Sequence, residues 1–181
     1  MILIDKNNFL SIKNVFNRIF MKKLILIRHA KSSWKHNVID FERPLNNKGV
    51  KDAENVSNYL KSKGLIIDMV ISSDAIRTKI TANSFISNLN IDEKLVNFNH
   101  NLYDFSGYNL VKTIKEVDIS INNLMVFGHN HAITNFVNTY GDKYIENVPT
   151  CGVTIIHFDI DNWANLSNGK TIFTLFPKDL K

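Results

Sequence analysis

Apolar positions along the chain fall into two alternating periodicities. Within residues 22–27 the unbroken run Leu24-Ile25-Leu26-Ile27 predicts a strand buried on both faces, as in a parallel sheet. From Gly49 to Lys63, Val50, Ala53, Val56, Tyr59 and Leu60 return at helical spacing, and Gly64 is placed to end that helix. Met69-Val70-Ile71 predicts a second short buried strand, followed by a helix from about Asp74 to Leu89 with Ser73 or Asp74 as N-cap. Next come a helix over Gly107 to Val117, a third buried strand at Leu124-Met125-Val126-Phe127, and a helix over Ala132 to Tyr140 closed by Gly141. Val153 to Asp159 and Thr171 to Phe176 read as strands, separated by turn residues between Asp161 and Gly169. Strands alternating with helices predict an α/β fold in three layers, with a mostly parallel central sheet covered on both faces.

Residues 1–20 break this alternation. Leu10, Ile12, Val15, Phe16, Ile19 and Phe20 recur at roughly helical spacing, and Met21 then directly precedes the first strand. Asp5, Lys6, Asn7 and Asn8 interrupt any continuous apolar block, which speaks against a secretory signal. The segment is expected either to be an amphipathic helix or to lie upstream of the true start, the second being preferred. The division expected is therefore an extension over 1–20 and one domain over 21–181.

Composition narrows the function classes. A length of 181 residues suits one core. The 44% hydrophobic and 22% charged content is that of an ordinary globular chain, with no apolar run long enough to span a bilayer. Cys151 is the lone cysteine, so an intrachain disulfide is impossible and a cytoplasmic location is expected. The net charge of +5 comes from scattered lysines and not from a dense basic run, which favours an anionic substrate over nucleic acid.

Ligands of open α/β sheets bind beyond the carboxyl ends of the strands. The first strand ends in Arg28-His29, the second in Ser72-Ser73 with Arg77 in the following helical turn, and the third in Gly128-His129-Asn130. A cation in the first turn of a helix opposes the macrodipole by about 0.3–1 kcal/mol, so Arg77 there points to a bound anion. Helix N-termini and arginine forks both favour phosphate, and a neutral imidazole such as that of His29 is a competent nucleophile toward phosphorus.

These residues, with Ala30-Lys31-Ser32-Ser33-Trp34, Arg43-Pro44-Leu45, Gly49, Thr78, Thr81-Ala82 and Pro149-Thr150-Cys151-Gly152, resemble the histidine phosphatase superfamily, branch 1. The Arg-His-Ala-Lys-Ser-Ser-Trp form is similar to the SixA-type phosphohistidine phosphatases. The resemblance implies a phosphoglycerate mutase-like fold and a hydrolase without cofactor or metal. It implies that His29 is transiently phosphorylated, that Arg28 and Arg77 hold the phosphoryl oxygens, and that His129 completes the phosphate pocket as a hydrogen-bond donor. Where mutase-like members carry a glutamate acid, this chain has Leu102-Tyr103-Asp104. Asp104 is thus a candidate general acid, its alternative role being to cap the next helix.

Lys31, Ser33, Arg43 and Asn130 are candidate substrate contacts. Trp34 and Tyr103 are expected to pack at the pocket rim, and Cys151 to be a packing residue. His129, His131 and His36 could hint at a metal, but no convergent third ligand is evident at recognisable spacing, and none is expected. The expected partner is a phosphorylated substrate, a phosphohistidine protein or a small phosphate ester, with no nucleic acid and no stable membrane insertion. Oligomeric state is left open. Two rival functions share the residues: a small-molecule phosphomonoesterase, and a non-catalytic phosphate-binding module, which would have no need of a nucleophile.

Overall fold

The computed structural model describes residues 21–35 and 37–180, so the expectations for residues 1–20 and for His36 lie outside the described residues. Six strands form one mixed sheet: β1 (Met21–Arg28), β2 (Met69–Ser72), β3 (Val96–Phe98), β4 (Asn123–Gly128), β5 (Val153–Asp159) and β6 (Lys170–Leu175), in spatial order β3-β2-β4-β1-β5-β6. β1, β2, β3 and β4 pair parallel to one another, whereas β5 runs antiparallel to both β1 and β6. The helices are α1 (Asn47–Lys61), α2 (Ile76–Leu89), α3 (Tyr108–Lys115) and α4 (Asn130–Tyr140).

Successive side chains of β1 enter opposite halves of the core because a strand presents alternate residues to its two faces. Leu24 and Leu26 join Leu124, Val126, Leu110 and Ile133 on the α3/α4 side. Ile25 and Ile27 join Met125, Phe127, Val56 and Phe85 on the α1/α2 side. All four β1 residues are fully buried, which is why an unbroken apolar run was the readable signal. The expected α/β architecture is therefore present.

The pattern misplaced some details. Val50 lies half exposed on α1, because Ala53, Val56 and Leu60, with Tyr59 partly buried beside them, form the face toward the sheet. β3 has no sequence signal: it is three residues long, sits at the sheet edge and buries little. α2 begins after Ala75, which makes no side-chain cap, and Asp74 faces His100 instead. Among the described residues no helix is long and apolar enough to cross a membrane.

Lys22, the second residue of β1, is an internal support. Although 1% exposed, its ammonium donates to the carbonyls of Ile119 and Ile121 and to Asn122 Oδ1, tying the strand's start to the loop before β4. Burial lowers its pKa against the opposing pull of Asp161, Asp68 and Asp118.

Candidate active site

The strand order makes β2, β4 and β1 neighbours, so three carboxyl ends open side by side. Register fixes their level: Arg28 is opposite Gly128, Ser72 is opposite Phe127, and His29 N donates to Gly128 O at 3.0 Å. This brings His29, Arg77 and His129 into one pocket, their side chains 8%, 1% and 0% exposed as residues.

His29 is oriented by its own backbone neighbourhood. Its Nδ1–H donates to the Ala30 carbonyl at 2.8 Å, which leaves Nε2 as the unprotonated nitrogen. Arg77 Nε donates to that nitrogen at 3.3 Å. The Ala30 amide donates to Thr81 Oγ1 at 2.9 Å, and the Thr81 hydroxyl donates to the Arg77 carbonyl, so β1 and α2 hold nucleophile and arginine in one frame. Burial, then the charges of Arg77, Arg28 and Arg43, push the His29 pKa down to about 3 against the opposing bond to Ala30. Desolvation and the flanking guanidinium charges thus favour the neutral imidazole near neutral pH.

His129 opens α4. Arg77 Nη2 donates to its Nδ1 at 3.2 Å, so its single proton is on Nε2 and is donated to Ser73 Oγ at 2.9 Å. Burial, then the neighbouring His29 and Arg77, lower its pKa to about 3. The pocket donor implied by the resemblance is thus a hydrogen-bond acceptor in this arrangement. Phe105 and Tyr103 pack against its ring at 5.0 and 5.3 Å between centroids.

Arg28 makes no hydrogen bond to this cluster, but its charge acts on both His29 and His129. Its Nη1 donates to Val148 O at 2.8 Å and Asn147 Oδ1 at 3.4 Å, while its buried Nε has no partner. Burial lowers its pKa to about 10, which leaves it charged. The loop it grips returns to the strand: Cys151 N donates to both Arg28 O and His29 O, with Cys151 in the left-handed region at φ 60°. Burial raises the Cys151 thiol well above its usual range, consistent with a packing residue.

Arg77 is also paired with a carboxylate of the chain itself. Arg77 Nη2 donates to Asp40 Oδ2 at 2.9 Å, and Nη1 to the Asp40 carbonyl. Tyr103 OH donates to the same Oδ2 at 2.7 Å, and Arg43 donates to Oδ1. Burial would raise the Asp40 pKa, but the hydrogen bonds from Tyr103, Arg43 and Arg77 hold it down at about 2. Sequence reasoning missed Asp40. The signal available was an acid three residues before the Arg43-Pro44-Leu45 motif.

Asp104 is placed differently from the expected acid. It is 6% exposed; Oδ1 accepts from the Ser106 amide and hydroxyl, and Oδ2 from the Leu110 amide. These bonds lower its pKa despite burial, with Ser106 the strongest contributor. Oδ1 is thus taken up by Ser106 and Oδ2 by the first turn of α3, an arrangement that fits the capping alternative.

The substrate-contact candidates also separate. Arg43 is buried against Asp40 and Ser32 Oγ, with its guanidinium 3.5 Å from the Trp34 ring centroid. Ser33 is buried and accepts from Lys35 N, Lys31 is exposed, and Asn130 Oδ1 accepts from Thr134 within α4. Among the described residues no three His, Cys, Asp or Glu side chains converge as for a metal ion.

Residues 24–107 match the model of the histidine phosphatase superfamily (branch 1), a span that includes Arg28, His29, Asp40 and Arg77. An uncharacterised chloroplastic protein of Arabidopsis thaliana is 29% identical over 153 residues, covering 78% of this chain and 69% of its own length. Among solved structures, the SixA protein of Agrobacterium tumefaciens superposes with a TM-score of 0.74 at 21% identity, over 86% of this chain and 98% of that one. The protein histidine phosphatase SixA in complex with tungstate gives 0.71 at 19% identity, over 88% and 99%. A mycobacterial glucosyl-3-phosphoglycerate phosphatase shares the fold at 0.59 and 12% identity, over 84% and 97%.

Proposed function

We propose that the chain is a member of the histidine phosphatase superfamily (branch 1), whose model matches its residues 24–107, and a phosphatase of SixA type that removes a phosphoryl group from phosphohistidine through a phosphorylated His29. The observation that carries this reading is the tautomer of His29: its one proton is committed to Ala30, and Nε2 faces the pocket beside Arg77.

In the first step the Nε2 lone pair forms a nitrogen–phosphorus bond as the bond from phosphorus to the leaving nitrogen breaks, and that nitrogen takes a proton from solvent. In the second, water attacks phosphorus, the bond to Nε2 breaks, a proton passes to bulk and inorganic phosphate leaves. Arg28 and Arg77 offset the charge on the transferring oxygens, the dominant contribution in phosphoryl transfer. Ser73 can reverse its role and donate to His129 Nε2, which moves the ring proton to Nδ1, toward a bound phosphoryl oxygen.

Two features favour an N-phosphorylated protein over an alcohol ester. Asp104, the expected acid, is committed to α3, and an imidazole departs with less protonation than an alkoxide. The rim also carries exposed apolar rings, Trp34 at 79% and Phe105 at 44%, which suit contact with a protein surface.

The test is turnover of a phosphohistidine peptide beside sugar and nucleotide phosphates. The peptide is expected to be hydrolysed fastest, acid-labile phosphate to be trapped on the wild type, and both signals to vanish in His29→Ala. Turnover by folded His29→Ala would overturn the nucleophile, and faster turnover of a sugar phosphate would overturn the substrate class.

A further inference from the structure

We propose that Asp40 is a positioning residue for this reaction: it grips one edge of the Arg77 guanidinium so that the other edge is presented to His29 and the phosphoryl group. The proposal rests on the reading of His29 as nucleophile and adds to it a residue outside the four implied by the resemblance.

A guanidinium is a rigid plane with five N–H donors, so fixing two of them fixes the direction of the rest. In Arg77, Nη1 donates to the Asp40 carbonyl and one Nη2 hydrogen to Asp40 Oδ2. Nε and the remaining Nη2 hydrogen then point at His29 Nε2, 3.3 Å away, and His129 Nδ1, 3.2 Å away. That second edge is the one a phosphoryl group meets when it enters between the two imidazoles. Asp40 therefore leaves the reactive edge open while orienting it.

Asp40 is itself fixed from several sides. Arg43 Nε donates to Oδ1 at 2.9 Å and Tyr103 OH to Oδ2 at 2.7 Å. Arg43 is anchored on Ser32 Oγ at 3.1 Å and stacks on Trp34. A continuous set of contacts thus runs from an exposed ring at the rim to the buried arginine, and it passes through one carboxylate. Charge follows the same plan: Asp40 pairs with both Arg43 and Arg77, and together with Arg28 these groups leave a net charge of +2 to match the two charges of a phosphoryl dianion. With three N–H donors and one O–H on its oxygens, Asp40 is held ionised and has no proton for a leaving group.

The experiment compares wild type, Asp40→Asn and Tyr103→Phe with an aryl phosphate, with tungstate as competing anion, and with the Arg77 Nε–H resonance in nitrogen-15-labelled protein. Misorienting a catalytic group costs about 10- to 100-fold, so kcat of Asp40→Asn is expected to fall by about that factor. Tungstate inhibition should hold or tighten, since a negative charge has left the pocket, and the pH profile of kcat should keep its shape. Tyr103→Phe, which removes one bond to the same oxygen, should lower kcat by a smaller factor, and Asp40→Glu should restore part of the loss. The Arg77 Nε–H line, sharp in the wild type, should broaden by exchange in Asp40→Asn.

A kcat unchanged in Asp40→Asn, a tungstate affinity that falls in step with kcat, or loss of one limb of the pH profile would overturn the positioning role. So would an Arg77 line identical in variant and wild type. If the wild type turned over no phosphate, the His29 reading would fail, while the Arg77 line would still decide the role of Asp40.

Discussion

Several residues in this site hold their positions through one proton each. His29 keeps Nε2 bare because Nδ1–H is given to Ala30, and His129 keeps Nδ1 bare because Nε2–H is given to Ser73. Ser73→Ala removes the group that can reverse that second bond, so it is expected to lower kcat while leaving the fold intact, measured as turnover against melting temperature. Asp104 shows the opposite assignment, a carboxylate that reads as chemistry and acts as a cap. Asp104→Ala should destabilise the protein by about 1–2 kcal/mol, the usual worth of a helix cap, in denaturant unfolding. Hydrolysis of an alkyl phosphate per folded molecule should stay the same; a selective loss of that activity would return Asp104 to the acid role. The motif residues were legible because each stands at the end of an apolar run. Asp40 was not, because an acid in a loop acquires meaning only from where the loop goes.

At the scale of elements, the frame depends on close approach between α1 and the loop after β1. Asn46 Oδ1 accepts from Gly49 N to start the helix, and Asn46 N donates to Lys31 O. A Cβ at Gly49 would lie 2.1 Å from Lys31 O, so that loop touches the helix at its glycine. Gly49→Ala must push Lys31, two residues from His29, and is expected to cost about 1–3 kcal/mol and to lower kcat, both measurable on the purified variant. Lys22 is a comparable tie at the far end of β1. Lys22→Met would strand the carbonyls of Ile119 and Ile121, each unpaired buried group costing about 1–3 kcal/mol, and should lower the unfolding midpoint without changing KM. Long apolar elements could be read in advance because burial on both faces or on one helical stripe leaves a period. β3 could not, since a three-residue edge strand is held by pairing to β2 and not by its own side chains.

Across the whole molecule, burying two neutral histidines links stability to pH. Both have folded pKa values near 3, against about 6.5 in an unfolded chain. Between those values the unfolded state binds more protons, so stability is full above about pH 6.5 and declines as pH falls toward 3. Each histidine contributes up to about 1.4 kcal/mol per pH unit to that slope. Denaturant unfolding from pH 7 to pH 4 should therefore show a steep fall in the wild type and a shallower one in His29→Gln; equal slopes would show that His29 is not held neutral. The alternation of apolar runs determined by itself that this chain is an α/β protein, and the Arg28-His29, Arg77 and His129 positions determined which chemistry to expect, because strand ends and helix starts are local features written in neighbouring residues. Only the tertiary structure decided which proton each histidine keeps, that Asp104 caps a helix, and that Asp40 turns Arg77, because those depend on contacts between residues tens of positions apart, set by strand order and loop path.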